Sequence, residues 1–188
     1  MKIGVYCGSF NPVHNGHLKI IDEVMKSSLV DKLLVIITGN YWYKQNLPSM
    51  PRRKELFPPF KDDRVSFDTT HCGMSYTYQI LLALEQENPN DELVLIIGSD
   101  NLPYMPQWNH AAYTMNHEFI IVARDESAEM YATRLPFKAY HILYINNIDH
   151  ISSTYIRQHI HDFNAIKNMI PVQSYEKMCR LYEEYANV

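Results

Sequence analysis

The chain has 188 residues, 46% of them hydrophobic and 12% aromatic, which suffices for one sizeable core and about one domain spanning 1–188. A formal net charge of −4 with a sequence pI near 6.1 excludes general affinity for nucleic acid, which needs a basic face to displace counterions; an anionic small partner would have to meet local positive charge instead. Three scattered cysteines, Cys7, Cys72 and Cys179, give no disulfide framework, the first residues lack the pattern of a secretion signal, and no apolar run approaches the ~18 residues of a membrane span, so a soluble cytoplasmic protein with no membrane partner is expected.

In chain order, the first predicted strand covers residues 2–7 and a helical pattern begins at Leu18. Between them lies Gly8-Ser9-Phe10-Asn11-Pro12-Val13-His14-Asn15-Gly16-His17. A glycine-containing loop that leaves a strand and enters a helix turns backbone N–H groups and the positive helix end toward one spot, which favours an anion there. Two histidines three residues apart at that helix mouth can each donate a hydrogen bond to a phosphoryl oxygen. A satisfied polar surface turn is the plainer reading. A structural zinc site is another, although neither Cys-x-x-Cys nor His-Glu-x-x-His is present to complete a closed shell.

Further strands are predicted at 32–38, 65–69, 93–97, 119–123 and 141–145, short and apolar on both faces as suits a buried parallel sheet. Helical patterns at 18–28, 76–87 and about 105–115 alternate with them, giving a doubly wound α/β domain whose ligands collect at the carboxyl ends of the strands. The stretch 39–63 holds four of the ten prolines together with Tyr41, Trp42, Tyr43, Arg52 and Arg53, and is predicted as a long loop, either a lid or a solvated excursion. After the last strand the pattern is helical over about 152–188, at 152–162, 164–169 and 172–185.

Two later motifs also carry chemistry. Ile151-Ser152-Ser153-Thr154-Tyr155-Ile156-Arg157 closes a loop and starts a helix with hydroxyls at the cap and an arginine one turn inside: an anion-binding end, or simply an ordinary N-cap. Gly98-Ser99-Asp100 ends a predicted strand with Trp108 downstream, an acidic side chain suited to sugar hydroxyls and an indole face suited to a heterocycle; a turn-forming Asp and a core Trp are the structural alternative.

Taken together, GSFNPVHNGH, Ser75-Tyr76-Thr77-Tyr78, IIGSDN with Trp108, FIIVAR and ISSTYIR make the chain resemble the nucleotidyltransferase superfamily with the His-x-Gly-His signature, and within it the bacterial nicotinate-nucleotide adenylyltransferases. The resemblance implies a Rossmann-like nucleotidyltransferase fold and adenylyl transfer from ATP to nicotinate or nicotinamide mononucleotide, with Mg²⁺ accompanying ATP and no protein side chain binding metal. It implies that Gly8, Ser9 and Phe10 lie near the nucleotides and that His14 and His17 contact ATP phosphates. Ser153, Thr154 and Arg157 would take the β- and γ-phosphates. Asn11 would serve the mononucleotide, Asp100 a ribose, Thr77 and Tyr78 the pyridine carboxylate, and Trp108 would stack on the pyridine; Lys44 matches loosely a lysine that relatives place near the phosphates. Departures at Asn109 and Asp125, beside the expected pyridine pocket, leave acid and amide acceptors both open, and a homo-oligomer is compatible with the sheet's edges. Phosphopantetheine adenylyltransferase and a non-catalytic nucleotide sensor are the rival readings.

Overall fold

The computed structural model describes residues 1–39, 47–123 and 125–186. Its strands are β1 (Lys2–Gly8), β2 (Lys32–Ile37), β3 (Val65–Asp68), β4 (Glu92–Gly98), β5 (Glu118–Ala123) and β6 (Ala139–Tyr144), and they form one sheet in the order β3-β2-β1-β4-β5-β6 with every pairing parallel. Each lies within two residues of its predicted place, because a β-branched run buried on both faces has no competing helical period.

The two faces of the sheet carry separate apolar clusters. Along β5, Phe119 and Ile121 point into one and Ile120 and Val122 into the other; along β1, Ile3 and Val5 oppose Tyr6. On one face lies α1 (Asn15–Lys26), whose stripe Ile20, Ile21, Val24 and Met25 is buried at helical spacing, together with α2 (Met50–Lys54) and the three C-terminal helices. Those are α6 (Ser153–Gln158), α7 (Phe163–Ile166) and α8 (Tyr175–Ala186). On the other face α3 (Thr77–Glu87) buries Ile80, Leu81 and Leu84 beside a 3-10 helix (Ser99–Gln107), α4 (Ala111–Met115) and α5 (Ala128–Ala132).

Several predicted elements are corrected. The helix expected over 105–115 is instead the 3-10 helix Ser99–Gln107 followed by α4, because Pro103 and Pro106 each remove a backbone donor and block an α-helical ladder. The long loop expected over 39–63 contains α2, which starts with Pro51 in its first turn, where a missing N–H costs nothing. α1 begins three residues before Leu18, α5 was not predicted, and the 172–185 pattern divides into a 3-10 turn (Val172–Ser174) and α8. Among the described residues no helix is long and apolar enough to cross a membrane.

Strand β1 has β2 on one side and β4 on the other, so the chain reverses its winding direction there and a crevice opens at the carboxyl ends of β1 and β4. The register pairs Tyr6 with Ile96 and Gly8 with Ile37, which brings the loops after β1, β2 and β4 to the same level of the sheet.

Candidate active site

The loop after β1 is organised around Phe10. Its backbone sits at φ 43°, a left-handed conformation rarely tolerated by a bulky residue, and its ring is 2% exposed. The ring meets Tyr6, His17 and Phe57 edge-on, with centroids 5.4, 4.9 and 5.2 Å away. A Cβ on Gly8 would come within 2.9 Å of that ring, and one on Gly16 within 3.0 Å of the His14 ring. The motif's glycines therefore make room for two aromatic rings. The peptide bond between Asn11 and Pro12 is cis.

His14 caps α1. The backbone N–H of His17 donates to His14 Nδ1 at 3.3 Å, and the backbone N–H of His14 donates to His17 Nδ1 at 3.2 Å, a reciprocal capping box built from two imidazoles. The rings stack with centroids 3.6 Å apart and planes 15° from parallel. With each Nδ1 accepting from the backbone, the neutral rings carry their protons on Nε2, so both imidazoles are set up as Nε2–H donors.

Side chains from distant parts of the chain hold the carbonyls of this loop. Arg53, 2% exposed, bonds from Nη1 to the carbonyls of Ser9 and Thr38, the latter at 2.9 Å, and from Nε to that of Pro48 at 2.8 Å. Arg157 Nη1 donates to the Asn11 carbonyl at 2.5 Å and its Nη2 to Thr154 Oγ1 at 3.2 Å, while Ser153 Oγ donates to the Pro12 carbonyl at 2.9 Å. Ser152 caps α6 by accepting from the N–H of Tyr155. The first and last motifs of the sequence are thus in direct contact. Asn15 extends the same packing: its N–H donates to the Met169 carbonyl at 2.7 Å and its Nδ2 to those of Asn168 and Ile170.

On the β4 side, Asp100 stands exposed at the start of the 3-10 helix and Trp108, half-buried, ends it. Thr77 opens α3 and the Tyr78 ring packs on His110, 4.2 Å between centroids; His110 itself is left-handed at φ 51°. The segment leading to Thr77 is pinned by His71, whose Nδ1 lies 2.6 Å from Asp68 Oδ2 and whose Nε2 lies 3.3 Å from Glu87. Asp125 is exposed, and hydrogen bonds from Ser127 hold its carboxyl below the usual carboxylate range. Lys44 and the aromatic pair Trp42 and Tyr43 fall outside the described residues. Among the described residues, no group of three or more His, Cys, Asp or Glu gathers in a way that could hold a metal ion.

Sequence reasoning missed Arg53, Tyr182 and the Asp68–His71 pair. Arg52-Arg53-Lys54 reads as a solvated basic run, and Arg52 does lie on the surface, paired with Glu184. Nothing local marks its neighbour as buried. A groove of about 940 Å³ runs between α1 and residues 58–65 toward the amino end of β3.

The comparisons with known proteins agree with this architecture. The cytidylyltransferase-like family matches residues 5–159. A Fusobacterium nucleatum protein named "probable nicotinate-nucleotide adenylyltransferase" is 36% identical over 180 residues, covering 90% of this chain and 93% of the relative. The nicotinate-nucleotide adenylyltransferase of Bacillus subtilis is 31% identical, with 97% and 98% covered. In fold, the chain is similar to the nicotinic acid mononucleotide adenylyltransferase of Plasmodium falciparum, solved in complex with NaAD, at a TM-score of 0.83 and 23% identity over 97% of both chains. The chain belongs to the cytidylyltransferase-like family and, within it, to the bacterial nicotinate-nucleotide adenylyltransferases.

Proposed function

We propose that this chain transfers the adenylyl group of ATP to nicotinate mononucleotide, joining the mononucleotide phosphate to the α-phosphorus and releasing pyrophosphate in dinucleotide biosynthesis. The observation that carries the reading is the meeting of Ser153 and Arg157 with the loop carbonyls of Pro12 and Asn11, beside the stacked pair His14 and His17. That arrangement gathers two Nε2–H donors, two hydroxyls and a guanidinium at the carboxyl end of β1, where a triphosphate needs neutralisation.

In this reading His14 and His17 donate to ATP phosphates, and Ser153, Thr154 and the remaining donors of Arg157 take the β- and γ-phosphates. A mononucleotide phosphate oxygen attacks the α-phosphorus in line, the bond to pyrophosphate breaks, and the rate comes from positioning and from stabilised charge. Gly8, Ser9 and Phe10 shape the floor; Asp100 faces a ribose; Thr77, Tyr78, Asn11 and Trp108 serve the mononucleotide. Mg²⁺ would enter with ATP as part of the substrate, with no side chain of this chain assigned to hold it, and would supply charge neutralisation for the leaving pyrophosphate. The cytoplasm, where ATP is plentiful and thiols stay reduced, is the proposed compartment.

Pyrophosphate release measured with Mg-ATP and, separately, nicotinate mononucleotide, nicotinamide mononucleotide and phosphopantetheine tests this. Turnover with the acid well above the amide is expected. Turnover with phosphopantetheine alone would move the chain to a different acceptor, and binding without turnover of any acceptor would make it a sensor.

A further inference from the structure

The C-terminal helix α8 does more than cover the sheet. Tyr182 on α8, 8% exposed, sends its hydroxyl 171 residues back along the chain to donate to Asn11 Oδ1 at 2.6 Å. Burial pushes this phenol well above its ordinary range, an effect that the nearby guanidiniums of Arg157 and Arg53 oppose, so at neutral pH it is a donor. Asn11, itself 8% exposed, is fixed twice over, its carbonyl by Arg157 and its side-chain oxygen by Tyr182.

The amide nitrogen is left over. Among the described residues Asn11 Nδ2 makes no hydrogen bond, yet it is not one of the sealed polar atoms without a partner, which are the hydroxyls of Thr38 and Thr114. Two N–H donors in a nearly buried residue, still reachable from outside and next to His14 on the loop after β1, are unspent donors suited to an anionic oxygen. Without the phenol, an amide can turn by 180° and offer its oxygen instead, which would repel a phosphate.

We propose that Tyr182 is a positioning residue that holds the Asn11 amide by its oxygen and thereby presents Nδ2 as a donor to the phosphoryl group of the incoming mononucleotide. This rests on the adenylyl-transfer reading for the identity of the ligand, and on the hydrogen bond alone for the orientation of the amide. Tyr182 acts through Asn11, so the two residues are coupled and the effect of losing the phenol vanishes when the amide is gone.

The test is a double-mutant cycle of Tyr182→Phe and Asn11→Ala, with Ser174→Ala as the control for packing, since Ser174 Oγ makes an equally buried bond to the Leu56 carbonyl at 2.7 Å without touching the loop. Tyr182→Phe, which keeps the ring, is expected to lower kcat/KM for the mononucleotide by about 3–10-fold, mainly through KM, with KM for ATP changed less than about 2-fold. On the Asn11→Ala background the same change is expected to cost less than about 2-fold, and Ser174→Ala to lower the thermal midpoint without altering kcat/KM. Equal losses on both backgrounds, or no loss in Tyr182→Phe, would overturn the proposal.

A second readout is independent of turnover: the side-chain amide signals of Asn11 in a ¹H–¹⁵N spectrum, assigned through Asn11→Ala, should move toward free-amide positions in Tyr182→Phe. Unmoved signals would overturn the proposal whatever the acceptor proves to be. Signals that move in a protein inactive on nicotinate mononucleotide would sustain the orienting role while removing that mononucleotide as the acceptor.

Discussion

The loop after β1 and the segment after β4 leave adjacent parallel strands at one level of the sheet, and they are built in opposite ways. In the first, the carbonyls of Ser9, Asn11 and Pro12 each accept from a side chain that arrives from elsewhere in the chain, and Phe10, Val13 and His14 are buried. In the second, Asp100, Tyr104, Asn109 and His110 are exposed, and local hydrogen bonds run within the segment, from Asn101 Nδ2 to the Gly98 carbonyl at 3.2 Å and from the Trp108 N–H to the Met105 carbonyl. The difference follows from what each side has to do. Donors aimed at charge developing on phosphorus work only if they are fixed beforehand, whereas a surface for a flat ring needs area and tolerates adjustment.

The comparison breaks most directly at Arg53. Arg53→Met leaves the carbonyls of Ser9, Thr38 and Pro48 without their partner in a dry place, and a loss of about 3–5 kcal/mol in unfolding free energy is expected by urea titration. Nothing on the β4 side should match it.

Next comes the pair His17→Asn and His17→Gln. Asn places a polar atom near the Nδ1 position, and Gln is a usual capping-box partner at this place in a helix, as Gln79 is for the Tyr76 N–H, so both can keep the backbone cap on His14 while neither retains the imidazole. If the imidazole Nε2–H serves the transition state, both variants should lower kcat by about 10²–10³ at nearly wild-type stability. Wild-type kcat in both variants would assign His17 to capping alone.

Trp108→Ala sharpens the other side. It should raise KM for the mononucleotide about 10-fold, leave KM for ATP near its original value and change stability little, because Trp108 is only half-buried. A fall in kcat with KM unchanged would instead place the indole near the reacting phosphorus. The smallest effect concerns Ser28, which follows α1 at φ 57°. Ser28→Gly should stabilise the protein by about 0.5–1 kcal/mol in the same urea titration, with kcat untouched.

Much of this was legible because local patterns encode it. β1, its loop and α1 are a continuous stretch with a strand period, a loop and a helix period, and ISSTYIR announces a capped helix wherever it packs. What the sequence withholds is decided by distance. Arg52 and Arg53 are chemically identical neighbours, yet one pairs with Glu184 at the surface and the other threads between three carbonyls; only the path of the chain after β2 chooses between them. Tyr182 looks like any apolar position on an amphipathic helix until its hydroxyl is seen to reach Asn11. The 3-10 helix Ser99–Gln107 is an intermediate case, since Pro103 and Pro106 forbid an α-helix there, although the Leu102 and Met105 spacing suggests one.

The tie between Asn15 and the carbonyls of Asn168, Met169 and Ile170 sets an order of events during synthesis. The histidine loop is synthesised before most of the groups that seat it: Arg53 follows Ser9 by 44 residues, but Arg157, Asn168 and Tyr182 come more than 140 residues after their partners in the loop. A nascent chain halted before that point lacks these contacts, and contacts so far apart in sequence form late in folding. A chain cut short of Arg157 is therefore expected to carry the histidine motif without the contacts that seat it.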